Sequence, residues 1–402
     1  MRPGSNYLPV ELVQLILGHY MRNMPFHPSS DSNTVDVAYL DFSSIRGLLN
    51  LRFLGRSWAV AILPLAYRSL CLFKSSSASS FVMMWKNPLS MPSMVYLQRL
   101  CLAHVQFLPC HMENDSSLKS RSSYRSQVIS INTGLSDYVI QMDVVTDLVA
   151  LCSSTLVDLK LSYREALGFS KPLIDAMKGL TKLKVLILDS SSVASTRNNS
   201  DSLRQVLNSL PSLESLSIGC ASFDDLTLQT GALPNLHHLW VECNSNNVDA
   251  ITNFCRTAGR NVKFFECRTH RDMNKSSDMI LALRPSLKIL SLGFITHVIP
   301  LAIGVEVFPR LRVIRAVNCD PQHSNLSWLL WRMFDKMEYF ITTYHEGGSY
   351  WRTALKRPNV HSLQKPRNFK YIIFTSCHGS GQKDPELVEL CAQYGLLCIF
   401  RH

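Results

Sequence analysis

Charge is scarce in this chain. Of 402 residues only 18% are charged, against 46% in the apolar set AVILMFWYC, and a composition this apolar excludes a largely disordered polypeptide. Cysteine is thin too. Twelve in 402 residues fall well below the density of a disulfide scaffold, and most sit inside apolar runs such as Leu70-Cys71-Leu72 and Leu397-Cys398-Ile399. They read as reduced, buried small hydrophobes in a reducing compartment, cytoplasmic or nuclear. Residues 1–11 have no basic segment followed by an apolar one, so no secretory leader is expected there. No run of about 20 apolar residues is present to span a bilayer. The nearest, residues 289–305, contains His297 and Pro300 and opens with the alternation Ile289-Leu290-Ser291-Leu292, which reads as a strand followed by a buried loop.

Catalytic signatures are missing as well. Gly379-Ser380-Gly381-Gln382-Lys383 lacks the spacing of a phosphate loop, Asp384 stands where Ser or Thr is required, and the segment reads as a turn before a helix at 385–394. No G-x-S-x-G element occurs. His237-His238 with Cys243, and Cys110-His111, fall short of the paired short spacings of a zinc site, so no metal and no cofactor is expected. The net charge is +11, and residues 251–402 hold 21 basic and 11 acidic side chains, a local excess of +10. That part favours an acidic partner. Without a dense Lys/Arg run interleaved with aromatics, nucleic acid is not the expected one.

What is present is a repeat. Apolar residues recur at positions 1, 4 and 6 as Leu97-Leu100-Leu102, Leu156-Leu159-Leu161, Leu183-Leu186-Leu188, Leu213-Leu216-Ile218 and Leu236-Leu239-Val241. The pattern continues as Val262-Phe265-Cys267, Leu287-Leu290-Leu292, Leu311-Ile314-Ala316 and Met337-Phe340-Thr342. From Leu156 onward the steps are 27, 30, 23, 26, 25, 24 and 26 residues. Positions 4 and 6 alternate along a short strand and share one side, which no single unit can hide alone; parallel stacking makes one apolar layer. Helical or turn-like returns are expected at 144–151, 173–177, 202–210, 248–255, 279–283 and 326–334. Several end in Pro-x-Leu, with Pro211, Pro234, Pro285 and Pro309 turning the chain into the next strand. A doubly wound sheet would instead carry a Gly-rich phosphate loop after an early strand, and none is seen.

These units resemble leucine-rich repeats over residues 95–345. The Asn or Cys that follows the last apolar position by three is present at Asn244 and Cys319 and replaced at Arg164, Ser191, Ala221, His270 and Ile295, which predicts an irregular, helix-rich solenoid with parallel strands. Residues 346–402 are left as a C-terminal cap or tail. The residue between positions 4 and 6 is expected on the open face of the sheet. Target-binding candidates there and beside it are Lys160, His238, Trp240, Glu242, Glu266, Arg312 and Arg315, with Trp240 as anchor. A tail folded back over that face is the alternative.

The amino-terminal part reads as three short helices with a thin core. Leu8, Leu12, Leu15 and Ile16 recur at helical spacing behind Pro9, and a second run, residues 45–63, carries Leu48, Leu49, Leu51, Phe53, Leu54 and Trp58. The sequence Leu8-Pro9-x-Glu11-Leu12-x-x-x-Ile16-Leu17, followed by Leu51-Arg52-Phe53-Leu54-Gly55-Arg56-Ser57-Trp58 and Leu65-Ala66-Tyr67-Arg68-Ser69-Leu70, resembles an F-box of the fungal type over residues 5–73. It departs from that family in a longer link at residues 21–44 and in Gly55, where Ser or Cys is common. An F-box followed by leucine-rich repeats is a recurrent pairing. The resemblance implies a non-catalytic substrate receptor of an SCF-type ubiquitin ligase. In such a receptor Leu8, Pro9, Glu11, Leu12, Ile16, Leu17, Leu54 and Trp58 meet a Skp-type adaptor, and through it a cullin, while the repeats hold an unidentified target. The alternative is a repeat scaffold that binds proteins without recruiting a ligase.

Overall fold

A computed structural model of the chain describes residues 8–22, 26–27, 39–40, 42–87, 97–106, 139–164, 167–190, 200–219, 222–269, 276–294, 301–319, 326–357, 365–375 and 384–401. Contacts divide it into two compact units, residues 1–213 and 214–402.

The first unit opens with helices α1 (Val10–Arg22), α2 (Phe42–Leu51) and α3 (Arg56–Ala66), with a single 3-10 turn at Arg52–Leu54. The Pro9 carbonyl accepts from the N–H groups of Leu12 and Val13, so proline sits ahead of the first turn, where its missing N–H costs nothing. Val13, Leu17, Leu48, Ala61, Ile62 and Ala66 form the core shared by the three helices, and Ile45, Leu49 and Trp58 pack on it. Within residues 21–44, the described part beyond the helix ends is an antiparallel pair, β1 (Phe26–His27) with β2 (Tyr39–Leu40).

The same unit then builds a parallel sheet from β3 (Ser69–Leu72), β4 (Arg99–Gln106), β6 (Asp158–Tyr163) and β7 (Val185–Ser190), in that order, with the short β5 (Ile140–Gln141) joining the end of β4. The register breaks between Leu102 and Val105, where His104 takes up a positive φ of 57°. Helices α4 (Ser75–Lys86), α5 (Met142–Leu151), α6 (Lys171–Lys178) and α7 (Ser200–Asn208) alternate with these strands. Each of the last three buries a stripe at helical spacing, for example Leu173, Ile174 and Met177.

The second unit repeats the scheme. Strands β8 (Ser215–Ile218), β9 (His238–Cys243), β10 (Phe264–Thr269), β11 (Ile289–Phe294), β12 (Val313–Asn318), β13 (Tyr339–Thr343), β14 (Tyr371–Thr375) and β15 (Leu397–Phe400) lie side by side in chain order, every pair parallel. The connections hold α8 (Val248–Ala258), α9 (Ser276–Leu283), α10 (Leu301–Gly304), α11 (Tyr344–Leu355) and α12 (Pro385–Gln393), the last capped by Asp384, whose carboxylate accepts from the Leu387 N–H at 3.1 Å. The chain is thus a mixed α/β protein with parallel sheets.

The nine repeats read from the sequence are nine strands, and the position-1 residue of each, from Leu97 to Met337, is fully buried. Two boundaries differ from expectation. Parallel strands begin at β3, before residue 95, because Tyr67, Leu70 and Leu72 occupy the same three buried positions. They continue past residue 345, so the stretch expected as a cap or tail supplies β14 and β15 in register with β13. The return at 326–334, expected to be helical or turn-like, is two 3-10 turns, Ser327–Leu330 and Arg332–Phe334. Bulk explains these turns: Trp328 and Phe334 are both buried and meet edge to face, 5.5 Å between centroids, with Trp328 Nε1 donating to Tyr350 Oη at 2.9 Å.

Candidate functional site

Two surfaces carry the side chains singled out above. The first is α1. Its 3.6-residue period puts Val13 and Leu17 into the three-helix core and leaves Leu12 (47% exposed), Leu15 (64%) and Ile16 (45%) in solvent, with Leu8 (43%) just ahead of the helix. Pro9 and Glu11 are exposed beside them. In the 3-10 turn and α3, Phe53, Leu54 and Val60 are also exposed. Leu17, expected among the docking residues, is fully buried and belongs to the core instead. Trp58 is half-buried against the same core, which makes it a support for the helices before it is a contact. Apolar side chains this exposed on a small helical unit gain free energy from a cover.

The second surface is the sheet face opposite the repeat core. In the second unit one register row reads Ser217, Trp240, Glu266, Ser291, Arg315, Ile341, Ile373 and Ile399. The row two residues earlier reads Ser215, His238, Phe264, Ile289, Val313, Tyr339, Tyr371 and Leu397. The structure brings His238 and Glu266 into contact: His238 Nε2 lies 2.9 Å from Glu266 Oε1, and His238 Nδ1 lies 2.8 Å from Ser215 Oγ. A carboxylate only accepts, so Nε2–H donates to Glu266, and Nδ1 shares a second hydrogen bond with the Ser215 hydroxyl. Arg315 Nη1 stands 3.7 Å from the second Glu266 oxygen, and Phe264 packs on the imidazole with ring centroids 4.5 Å apart.

The open face expected here is largely closed. Lys160 in the first unit, and His238, Trp240, Glu242 and Glu266 in the second, are all buried, so Trp240 is not an exposed anchor. Strands about 4.8 Å apart let long side chains in one row cover one another, and the Ser215–His238–Glu266–Arg315 chain satisfies polar groups that this burial takes out of water. Arg315 stays a quarter exposed, Arg312 pairs with Glu338 at 3.1 Å in a half-exposed position, and Arg268 Nε lies 3.9 Å from Glu242 Oε1. Ser215 was missed in the sequence, although aligning the repeats by their first position sets it directly beside His238.

Ser, His and Glu in hydrogen-bonded sequence are the groups of acyl-transfer chemistry, but a nucleophile must reach its substrate. Ser215 and His238 are both buried, and the arrangement holds three strands in register. Among the described residues no group of three or more His, Cys, Asp or Glu is placed to hold a metal. Cys243 and Cys267 have sulfurs 3.7 Å apart; their hydrogen bond, and burial, push the Cys243 thiol well above the usual range, so it stays protonated. Among the described residues no helix is long and apolar enough to cross a membrane. Neither a family model nor a curated protein matches the chain.

Proposed function

We propose that this chain is the substrate-receptor subunit of an SCF-type ubiquitin ligase: an F-box at residues 5–73 docks on a Skp-type adaptor, and through it a cullin, while leucine-rich repeats hold the target. The observation that carries the reading is the uncovered apolar face of α1. Leu8, Leu12, Leu15 and Ile16 are each about half exposed while Val13 and Leu17, on the other side of the same helix, have no exposure at all. A helix built only to pack on its own domain would not present a second apolar stripe to water. The parallel strand-and-helix repeats that follow agree with the order expected of such a receptor.

On this reading the chain does no covalent chemistry. It holds a target near a ubiquitin thioester and raises the effective concentration of target lysines there. The test is co-purification with a Skp-type adaptor. The chain carrying Leu8→Ala with Pro9→Ala is expected to lose the adaptor while keeping its circular dichroism spectrum. Retained adaptor would overturn the docking role and leave a repeat scaffold without a ligase.

A further inference from the structure

Backbone hydrogen bonds tie the residue just after position 1 of each repeat to its counterpart in the next: Lys263 N–H to His237 O, Lys288 N–H to Lys263 O, Arg312 N–H to Lys288 O, Glu338 N–H to Arg312 O and Lys370 N–H to Glu338 O, at 2.7–3.1 Å. These residues therefore form a ladder along the amino-terminal ends of the strands, one step per strand, about 4.8 Å each. The side chains of Lys263, Lys288 and Lys370 are exposed and make no ion pair with any described residue. Arg312 is different, being paired with Glu338. Like charges side by side on neighbouring strands destabilise a sheet, and the Arg312–Glu338 rung shows how the ladder neutralises a charge when it does. The three free lysines lie in the part of the chain with 21 basic and 11 acidic residues. Folding supplies no reason for them.

The next residue in each strand is apolar and partly exposed at Phe264, Ile289 and Val313, and at Tyr339 and Tyr371, whose rings stack 4.8 Å apart. We infer that this ladder and the apolar row beside it form a docking strip for an acidic, amphipathic peptide segment of a target protein. The inference rests on the target-holding half of the proposed function and names the chemistry of that target. A peptide fits better than nucleic acid for two reasons. A phosphate backbone carries a charge at every step and would meet Glu338 in mid-ladder, whereas a peptide can set a neutral or basic residue there. The tyrosine faces are also stacked on each other rather than open to bases, while the apolar row suits Leu or Phe side chains. Four steps span about 19 Å, the reach of about six extended residues.

The experiment is fluorescence anisotropy on the full chain with a labelled peptide of about that length in which Glu alternates with Leu. The expected result is binding at low salt that weakens at least about tenfold when Lys263, Lys288 and Lys370 are all changed to Glu, and that fades as salt rises. A peptide with Gln in place of Glu is expected not to bind. Lys288→Gln alone, which removes a charge without introducing repulsion, is read in the same way should the triple variant fail to fold. Equal binding by wild type and charge-altered chains, no binding to wild type, or an oligo-dT of matched charge that binds more tightly than the peptide would each overturn the inference. The charge-reversed chain is expected to retain the adaptor; loss of the adaptor from the α1 variant alone bears on docking and leaves the strip untouched.

Discussion

Ile16 and Leu17 are neighbours in α1 with opposite surroundings, one 45% exposed and the other fully buried. Their alanine variants must then separate folding from docking. Leu17→Ala opens a cavity among Val13, Leu48 and Ile62 and should destabilise the fold by about 2–5 kcal/mol. In a unit of this size that lowers the melting temperature by about 5–20 °C. Ile16→Ala removes a side chain already half in water; full burial contributes about 1.5–3 kcal/mol, so the folded chain loses about 1 kcal/mol, partly offset by alanine's higher helix propensity. Docking covers the other half. Each of Leu8, Leu12, Leu15 and Ile16 then adds about 1 kcal/mol to adaptor binding, so Ile16→Ala raises Kd about fivefold and replacing all four raises it about a thousandfold. Differential scanning fluorimetry reads the first effect and isothermal titration with the adaptor the second. Equal melting losses for the two variants would mean that the outer face of α1 is buried after all. An unchanged Kd with all four replaced would place docking elsewhere.

In the repeat core, Phe265 is fully buried between Leu239 and Leu290 in register, and Phe265→Ala should cost about 3–5 kcal/mol in urea unfolding of the chain, a loss below about 1 kcal/mol contradicting the packing. The buried His238–Glu266 contact predicts that His238→Ala and Glu266→Ala are not additive, with a coupling of about 1–3 kcal/mol in a double-mutant cycle; additivity within about 0.5 kcal/mol would remove the interaction. Burial pushes the Cys152 thiol up to about 12, so at pH 8 it is protonated as well as covered, and iodoacetamide should label Cys71 and Cys398 in the native chain while Cys152 is labelled only in denaturant. Native labelling of Cys152 would show that α5 and the strand beside it open readily.

The strands were legible wherever position 1 is an aliphatic residue or Met, because that residue is buried in every repeat and its spacing repeats. Where the first position is Tyr67 or Phe369 the same geometry forms without the leucine signature, and the last strand follows Gly395, whose φ of 63° makes the turn that other repeats make with proline. On α1 the sequence sets Leu17 with the docking residues Leu12 and Ile16: Leu17 lies one residue from Ile16, and only the positions of α2 and α3 decide that it is core. For the sheet face, alternation gives the side on which Trp240 and Glu266 lie. Their burial depends on how side chains of neighbouring strands lean together, and on Ser215 reaching across to His238, which single-strand patterning does not contain.

The docking claim is tested most directly by native mass spectrometry of the full chain mixed with a purified Skp-type adaptor. A one-to-one complex is expected from the wild-type chain, and free components are expected once Leu12 and Ile16 are changed to Glu. A wild-type chain that stays alone, or a complex that survives both substitutions, would contradict the account.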